Sequence, residues 1–489
     1  MRIICRLLTG LFLALGLQSA SAFSLLGPFE PWMTTNLGFN SLFLGVVDVG
    51  GPKDISEGYR WNIPVITYGY DQSFLDYFGS NGVAAVESAI QVFNDLPVAT
   101  ETNLNSFSLN TTRINYHAAQ LGLSDLKSSA LALILEQLGL TSPTRFVYVL
   151  RDFTDINNPT VIMRNFDPVT LAPSFYVNGT GYSYFVYTNG QISFCNIVPI
   201  DPGSQFPSFS AVADYTFNSD NPGAFYAGLT RDDVGGLYYL YGTNNFALEN
   251  LIPGIHGTGT NASNFVNLAI RPGVGNITFQ RLTNDQCGGF VPLTICYQDA
   301  YLTNNTLQHQ MLKRDVKQPD VLFTAAHLGF YQYSRTGTSN WVNNGAPLQN
   351  GPGVIQPPVA INFARVGPIF SPVDGMYSGP ADFYAGPSGW ASFDGSTNAP
   401  IVYPADSSNN NSTAVNLELS EPPYAPIGPA FATTWMLAGQ HDKVFLLQTS
   451  TNLSTWSTIT TVTNTGQDVG YFDHVLPSTP QRFFRTVPQ

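Results

Sequence analysis

The pattern of apolar and polar positions predicts a strand followed by a helix early in the chain. Apolar and polar side chains alternate in the stretch Trp61 to Tyr70, which predicts a half-buried strand. A helix is predicted to begin at Ser80 and to end before Pro97, because apolar positions between them recur at helical spacing. A strand followed by a helix is typical of a domain that mixes both kinds of element.

A second helix and two further β elements are predicted before residue 200. The helix runs from Leu126 to Leu138 with Ser124 as its cap, and the apolar run Arg145 to Leu150 predicts a strand. The dipeptide Asn189-Gly190 lies between two runs of alternating residues, which predicts a β-hairpin.

A third helix is predicted to begin at Thr230 and to end at Gly242. Thr230 and Asp233 have the spacing of a capping box, in which each side chain bonds the other residue's backbone N–H. We therefore predict Thr230 and Asp233 as helix-capping residues.

Beyond residue 243 the pattern changes to short apolar runs between prolines and turn residues, which is typical of β structure. The predicted organisation is an α+β domain over residues 23–243, a β-rich domain over 244–394, a polar linker over 395–427 and a C-terminal module over 428–489. Three apolar runs in that module predict a small β-sandwich: Val444–Gln448, Thr458–Val462 and Arg482–Arg485.

The first 22 residues are predicted to be a signal peptide. Arg2 and Arg6 precede an apolar stretch from Leu7 to Leu17, and Ala20-Ser21-Ala22 forms a small-x-small cleavage site. We expect cleavage near that tripeptide, a mature chain from about Phe23, and a secreted or cell-surface location. A membrane span needs about 20 apolar residues, so no stable membrane anchor is predicted.

The net negative charge of the chain limits which molecules are predicted to bind it. Charged residues make up 11% of the chain, and the net charge is −13. Removing Arg2 and Arg6 from the 20 basic residues leaves 18 against 33 acidic ones, a net charge of −15. Because an acidic surface repels phosphate backbones, nucleic acid is excluded as a predicted partner. An extracellular protein or a glycan remains.

Three cysteines remain after signal removal. Cys287 and Cys296 flank a turn-prone segment with glycines and a proline, so in an oxidising compartment we predict a disulfide between them. The alternative is three unpaired thiols. Cys195 has no predicted partner, and we expect it to be a buried core thiol.

Three segments resemble a known protease family. A strand with Ile66-Thr67-Tyr68, a helix with Ala89 to Phe93, and the segment Leu229 to Gly242 resemble the opening and closing elements of a matrixin-type metzincin. The resemblance covers about residues 60–243 and implies a metzincin-like fold. It also implies zinc held by two histidines one helical turn apart and by a third, with a glutamate that activates water.

The chain departs from that family in its chemistry. The nearest two histidines are 18 residues apart, so no H-E-x-x-H motif is present. We therefore predict no catalytic residue, no metal ligand and no cofactor, as in a pseudoenzyme. A divergent zinc metallopeptidase is the alternative. The histidines are His117, His256, His309, His327, His441 and His474.

The C-terminal module carries a second resemblance. The segments Leu447 to Trp456 and Gln481 to Arg485 resemble a module of large secreted proteins from Verrucomicrobia and their relatives. Lys317 to Ala326 and Arg335 to Trp341 are also similar to uncharacterised proteins of that kind. These resemblances imply export and a β-sandwich appendage, and they imply no reaction.

Other chemistry-bearing residues have simpler interpretations. Asp232 and Asp233 could act as an acid/base pair, but the first turn of a helix favours a dipole and capping role. Asp152, Asp155 and Asn157 could contact calcium, although they lack EF-hand spacing and suit a turn better. The N-x-S/T sequons, which are glycan acceptors only in a suitable host, include Asn110, Asn178, Asn261, Asn276 and Asn452.

The sequence supports three hypotheses about function. The leading one is a noncatalytic extracellular protein with a binding or structural role. The alternatives are a divergent secreted metallopeptidase and a carbohydrate-binding protein. Tyrosine and tryptophan are frequent, as on glycan-binding surfaces, but aromatic residues also build β cores, and we expect the core role for most of them.

Overall fold

A computed structural model describes residues 22–28, 30–39, 50–98, 103–155, 158–201, 212, 222–259, 262–284, 289–325, 336–338, 353–363, 389–403, 431–435, 444–452, 454–463, 469–473 and 483–488. The fold mixes helices and strands, with strands predominating, and contains several sheets. None of the described helices combines the length and the apolar character needed to cross a membrane. The α-helices are α1 (Gln72–Asn94), α2 (Tyr116–Gln120), α3 (Leu126–Gln137), α4 (Pro143–Phe146) and α5 (Arg231–Tyr241).

The strands of the first half are short apart from one hairpin. They are β1 (Phe23–Leu25), β2 (Tyr59–Arg60), β3 (Val65–Tyr70), β4 (Thr112–Ile114), β5 (Leu123–Asp125), β6 (Leu140–Thr141), β7 (Val149–Asp152), β8 (Thr160–Ile162), β9 (Asn165–Phe166), β10 (Tyr176–Val177), β11 (Thr180–Asn189), β12 (Ile192–Pro199) and β13 (Ala224–Tyr226).

The second half of the described chain is built from strands. Those before residue 404 are β14 (Ala247–Asn250), β15 (Ile255–Gly257), β16 (Leu268–Arg271), β17 (Thr278–Arg281), β18 (Leu293–Thr303), β19 (Thr306–Val316), β20 (Val321–Thr324), β21 (Thr336–Thr338), β22 (Gly353–Val354), β23 (Val359–Phe363), β24 (Gly389–Ser392) and β25 (Ile401–Tyr403). The C-terminal strands are β26 (Phe431–Trp435), β27 (Val444–Ser450), β28 (Ser457–Thr463), β29 (Val469–Asp473) and β30 (Phe483–Pro488).

A five-stranded sheet forms the centre, in the order β17-β3-β20-β23-β21. The first four strands are parallel and β21 is antiparallel to β23. Helix α1 packs on this sheet through aromatic rings. The ring centroids of Phe74 and Tyr70 are 5.0 Å apart, those of Phe74 and Phe78 are 4.7 Å apart, and Phe323 and Phe363 add rings from β20 and β23. Because these rings are buried, they tie the helix to the sheet.

Helix α1 begins eight residues before the predicted start at Ser80. Asp71 caps it, because its carboxylate accepts a hydrogen bond of 2.9 Å from the Phe74 N–H. Gly79 has a φ of 58°, so the helix is kinked where the prediction begins. The sequence pattern therefore identified the segment after the kink and missed the aromatic first turns.

Helix α3 and the segment after it also refine the predictions. The cap of α3 is Asp125, whose carboxylate accepts from the Ser128 N–H at 2.8 Å, and not the adjacent Ser124. The predicted strand Arg145 to Leu150 is divided between α4 and β7. Pro143 at the first position of α4 and the Ser142 side chain at its cap explain why a helical turn forms there.

Strand pairing crosses residue 243, where the sequence pattern changes. Strand β3 pairs with β17 on one side and with β20 on the other. A buried ion pair crosses in the same way, because Arg60 on β2 binds Glu249 on β14 at 2.7 Å. The Asp320 carboxylate pairs with Arg314 and accepts the Thr67 N–H of β3 at 2.8 Å. The segments before and after residue 243 thus share one sheet and one core.

The remaining sheets are mainly antiparallel. One has the order β14-β16-β18-β19-β15, and the C-terminal strands form the sheets β26-β29 and β28-β27-β30. The predicted strands of the C-terminal module are therefore present, while their packing as a sandwich stays a prediction. The predicted linker contains β25, which pairs with β24, and its residues 404–427 lie outside the described part of the chain.

Candidate functional site

The predicted capping residues lie at the start of α5. The Thr230 hydroxyl accepts from the Asp233 N–H at 3.4 Å, and Asp233 Oδ2 accepts from the Thr230 N–H at 2.8 Å. The same carboxylate accepts the Val212 N–H at 2.9 Å. Because these bonds fix Asp233 in a buried position, the geometry favours a structural role over acid/base work.

Asp232 is also fully buried and binds distant parts of the chain. Its Oδ2 accepts the Ala22 N–H at 2.9 Å and the Asn178 N–H at 2.8 Å. Asn178 has a φ of 44°, which is a left-handed conformation uncommon for a residue other than glycine. As Asn178 is only 7% exposed, its sequon is inaccessible to a glycan in the folded chain.

The two described cysteines, Cys195 and Cys296, lie on separate hairpins. Cys296 is exposed on β18, and its predicted partner Cys287 lies outside the described residues, so the disulfide stays a prediction. Cys195 is half-buried on β12 rather than fully buried. Burial raises the pKa of the Cys195 thiol to about 12, and nearby Arg145 lowers it only in part. The thiol is therefore protonated at neutral pH and a poor nucleophile.

The described residues do not fit a zinc site. No group of three His, Cys, Asp or Glu side chains within the described ranges is close enough to hold a metal ion. His117 is exposed on the short helix α2. Asp152 accepts the Thr154 N–H at 3.0 Å, which is the turn interaction expected for it, and Asn157 lies outside the described residues.

The β11–β12 hairpin is the most unusual surface feature. Its strands pair over eight positions from Tyr182↔Pro199 to Asn189↔Ile192, and a two-residue loop joins them. Gly190 is the first loop residue and has a φ of 63°, which a type II′ turn requires there. The Asn189-Gly190 signal thus located the hairpin correctly, and β12 packs beside β7 and the 3-10 turn Thr35–Leu37.

One face of this hairpin is held against the protein. Tyr182 is buried with Val177 and Val147, and the half-buried Ile197 packs against that cluster. Tyr184 lies on the same face, where it is 41% exposed and its ring lies 4.7 Å from the ring of Tyr148. This inner face attaches the hairpin to the body of the fold.

The opposite face carries a row of aromatic rings. Phe185 and Tyr187 follow each other on this face of β11, and Phe194 is the cross-strand partner of Tyr187. Their ring centroids are 5.8 Å apart for Phe185 and Tyr187 and 5.3 Å apart for Tyr187 and Phe194. Phe185 is 47% exposed and Tyr187 is 42% exposed. We call these three residues the aromatic row.

The hairpin that carries the aromatic row has polar residues but no charged residue of its own. Residues 180–200 contain no Lys, Arg, Asp or Glu. Ser183 and Asn196 lie on the same face as the row. Ser183 is two residues before Phe185 on β11, and Asn196 is the cross-strand partner of Phe185. The surface therefore offers aromatic faces with neutral hydrogen-bonding groups beside them.

The aromatic row was not predicted from the sequence, although one signal for it was present. An ordinary half-buried hairpin alternates apolar and polar residues. In β11 the apolar residues Tyr184, Phe185, Val186 and Tyr187 are consecutive, so both faces are apolar. Since only one face can pack on the body of a surface hairpin, such a run indicates an exposed apolar face.

Comparisons with known proteins found no relative of this chain. No protein-family model matches the chain, and no curated protein or solved structure is similar to it at a significant level.

Proposed function

We propose that this chain is a secreted, noncatalytic binding protein and that the aromatic row on the β11–β12 hairpin binds a neutral carbohydrate. The observation that carries the proposal is the exposure of adjacent rings, Phe185 and Tyr187, on a well-anchored hairpin. Monomeric proteins rarely expose clustered large apolar groups without a partner.

Sugar rings suit such a surface for an electrostatic reason. The face of an aromatic ring carries partial negative charge, and the C–H groups on one side of a pyranose carry partial positive charge. A sugar therefore stacks on the ring while its hydroxyl groups stay free for hydrogen bonds. The separations of 5.8 and 5.3 Å between successive ring centroids allow one extended glycan to touch more than one ring.

The lack of charged residues on the hairpin favours neutral glycans over charged ones. With no basic residue in 180–200, the hairpin offers no cation to a sulfate, a phosphate or a uronic acid. The chain as a whole has a net charge of −13, which repels polyanions further. Hydroxyl and amide groups such as those of Ser183 and Asn196 instead match the hydroxyl groups of a neutral sugar.

The noncatalytic part of the proposal rests on the sequence. The chain resembles a metzincin around its closing helix, where Thr230 and Asp233 form the capping box, but no H-E-x-x-H motif accompanies that resemblance. We propose that a metzincin-like scaffold has kept its packing and lost its metal. Export by the predicted signal peptide places such a scaffold where binding alone is useful.

A binding assay tests the carbohydrate proposal. The purified mature chain is incubated with immobilised neutral polysaccharides, and the retained fraction is compared with that of the double variant Phe185→Ser/Tyr187→Ser. Two lost stacking contacts of about 0.5–1.5 kcal/mol each correspond to about 5- to 150-fold weaker binding. Retention should also be insensitive to salt, because the ligand is uncharged.

Tyr116→Ser is the matched control, since Tyr116 is 59% exposed on α2, away from the hairpin. It should bind as the unmodified chain does. Equal retention of the double variant, or no retention on any neutral glycan, contradicts the proposal. If the row instead captured an extracellular protein whose binding is lost in the double variant, the surface would be a protein-docking site.

A zinc measurement tests the metallopeptidase alternative separately. Stoichiometric, chelator-sensitive zinc in the purified chain, together with cleavage of a generic peptide substrate, would establish that alternative. The expected result is neither.

A further inference from the structure

The five-stranded sheet β14-β16-β18-β19-β15 buries charged side chains and exposes aliphatic ones. On β14, Glu249 is buried while the preceding Leu248 is 60% exposed. On β16, Arg271 is buried while the preceding Ile270 is 44% exposed. Successive side chains of a strand point to opposite faces, so the charged groups lie on the inner face and the aliphatic groups on the outer face. An antiparallel sheet with one solvated face ordinarily has the reverse distribution.

Ion pairs fix the inner face against the body of the protein. Arg60 Nε on β2 binds Glu249 at 2.7 Å, and Arg271 Nε binds Asp299 of β18 at 3.0 Å. Removing one partner of a buried pair leaves an uncompensated buried charge, which is strongly destabilising. The sheet therefore cannot shift its register by one residue to bury its aliphatic side chains. Only a surface from outside the sheet can cover them.

Four outward-facing residues form a continuous line across four neighbouring strands. Leu248 is the register partner of Ile270. Ile270 pairs in turn with Leu302, and Leu302 pairs with Leu307, which is 47% exposed. With strands about 4.8 Å apart, the line is roughly 15 Å long. We call these four residues the aliphatic row, and contiguous exposed apolar surface of this kind marks an interaction site.

We propose that the outer face of this sheet joins two copies of the chain in a face-to-face dimer, with the aliphatic row at its centre. A flat surface spread over four strands suits another sheet, since sheets pack face to face about 10 Å apart. Pairing at the edges is disfavoured, because the edge strands β14 and β15 have only 4 and 3 residues. This dimer is independent of the carbohydrate proposal.

The charges of the outer face favour a second copy as the partner. Of the outward-facing residues on these five strands, all of which the structure describes, only Lys313 and Asp315 are charged, and they pair at 3.4 Å. The face is therefore neutral in a chain with a net charge of −13, so two such faces meet without repulsion. In a two-fold interface each copy also offers an anion to the other's lysine and a cation to its aspartate.

The outer face is large enough for such a dimer. The sheet has two strands of 11 residues, two of 4 and one of 3. At about 3.4 Å per residue and about 4.8 Å per strand, the face covers roughly 500 Å². Two copies would bury about 1,000 Å² together, which reaches the lower limit of specific protein interfaces. We therefore expect a dimer of micromolar affinity.

The first test is the molar mass of the purified mature chain in solution. Sedimentation equilibrium between about 1 and about 100 μM covers the expected range of affinity. The mass should rise from that of a monomer towards that of a dimer as the concentration increases. A chain that stays monomeric throughout, as when another segment of the same chain covers the face, overturns the proposal.

A charged substitution in the aliphatic row tests the location of the interface. Leu307→Lys should weaken dimerisation by at least about a hundredfold, because symmetry places two unpaired charges in each interface. Ile401→Lys is the matched control, since Ile401 is also 47% exposed but lies on β25 in another sheet. It should dimerise as the unmodified chain does. Equal dimerisation of the two variants overturns the proposal.

Thermal unfolding checks that both variants are folded. Because both positions are exposed, the Tm of each variant should stay close to that of the unmodified chain. If Leu307→Lys does not fold, Leu248→Lys at the other end of the aliphatic row takes its place, with the same expected loss of dimer.

Oxidation of Met311 gives a second measure of the interface. Met311 lies on the outer face of β19, four residues after Leu307, and is exposed in the single chain. Hydrogen peroxide converts an accessible methionine to its sulfoxide. At equal protein concentration, peptide mapping should show that Met311 sulfoxide forms several-fold more slowly in the unmodified dimer than in Leu307→Lys. Equal rates would place the dimer contact elsewhere and overturn the proposal.

Discussion

The central sheet and the β11–β12 hairpin are both rich in aromatic residues, but the rings are buried on the sheet and partly exposed on the hairpin. On the sheet, the rings of Phe74, Phe78 and Phe323 are buried because helix α1 covers the strands. On the hairpin, Tyr182 is buried by the body of the protein, while Phe185 and Tyr187 remain exposed on the other face. Aromatic content therefore predicts a core only where both faces of a sheet are covered.

The largest expected effect is the difference in unfolding free energy between removing a ring from the sheet and removing a ring from the hairpin. Phe74→Ala deletes a fully buried side chain that contacts rings from both α1 and the sheet, and it should lower the free energy of unfolding by about 3–5 kcal/mol. Phe185→Ala, at a 47% exposed position, should change it by about 0.5 kcal/mol or less. Denaturant unfolding of both variants measures the contrast, and similar losses would show that the hairpin ring is packed.

The buried carboxyl of Asp125 makes the stability of the covered region depend on pH. Burial raises the pKa of the Asp125 carboxyl to about 6 in the folded chain, and hydrogen bonds from Ser128 and the Phe393 backbone lower it only in part. Since the raised pKa favours the protonated form, the stability that this group adds is complete below about pH 4 and is lost as the pH rises through about 6.

Asp125→Asn should therefore remove this pH dependence. The amide can still accept the Ser128 N–H at the helix cap, but it carries no charge. The stability of the variant relative to the unmodified chain should be greater at pH 7 than at pH 4 by about 2 kcal/mol, because one pKa unit corresponds to about 1.4 kcal/mol and the unfolded carboxyl is already partly ionised at pH 4. Unfolding measured across this range checks the expectation, and parallel curves would refute it.

The smallest effect is expected at the tip of the hairpin. A Cβ at Gly190 would meet no atom within 4 Å, so Gly190→Ala is disfavoured only by the φ of 63°. We expect a loss of about 1–2 kcal/mol, seen as faster hydrogen exchange at the Thr188 and Ser193 amides. Gly190→Asn is the matched variant and should lose less, since asparagine tolerates positive φ better. Equal protection in all three chains would mean that packing, and not the turn, holds the hairpin.

Local signals in the sequence identified local features of the fold. The hairpin was located from Asn189-Gly190, and α5 begins where the Thr230–Asp233 spacing predicts, because both signals involve residues within four positions of each other. The kink at Gly79 concealed the true start of α1, since a helical period is interrupted there. A glycine followed by a new helical face is thus compatible with one helix as well as with a helix start.

Long-range features were beyond the sequence pattern. Strand β3 was predicted, but nothing in its alternation specifies β17 and β20 as partners more than 200 residues away. The contact of Asp232 with Ala22 is equally distant. The aromatic row is intermediate, because the consecutive apolar run in β11 is visible in the sequence and only its exposure requires the fold.

The pairing of β3 across residue 243 has a consequence for how the chain reaches its folded state. Until β17, β20 and Glu249 have been synthesised, both edges of β3 are unpaired and Arg60 lacks its buried partner. Unpaired strand edges promote aggregation, and contacts between distant residues form slowly. A fragment ending near residue 243 should therefore be insoluble, and the N-terminal half of the chain must wait for its second half. A chain that folds late stays unfolded longer during synthesis, which is the state in which a chain can be threaded across a membrane.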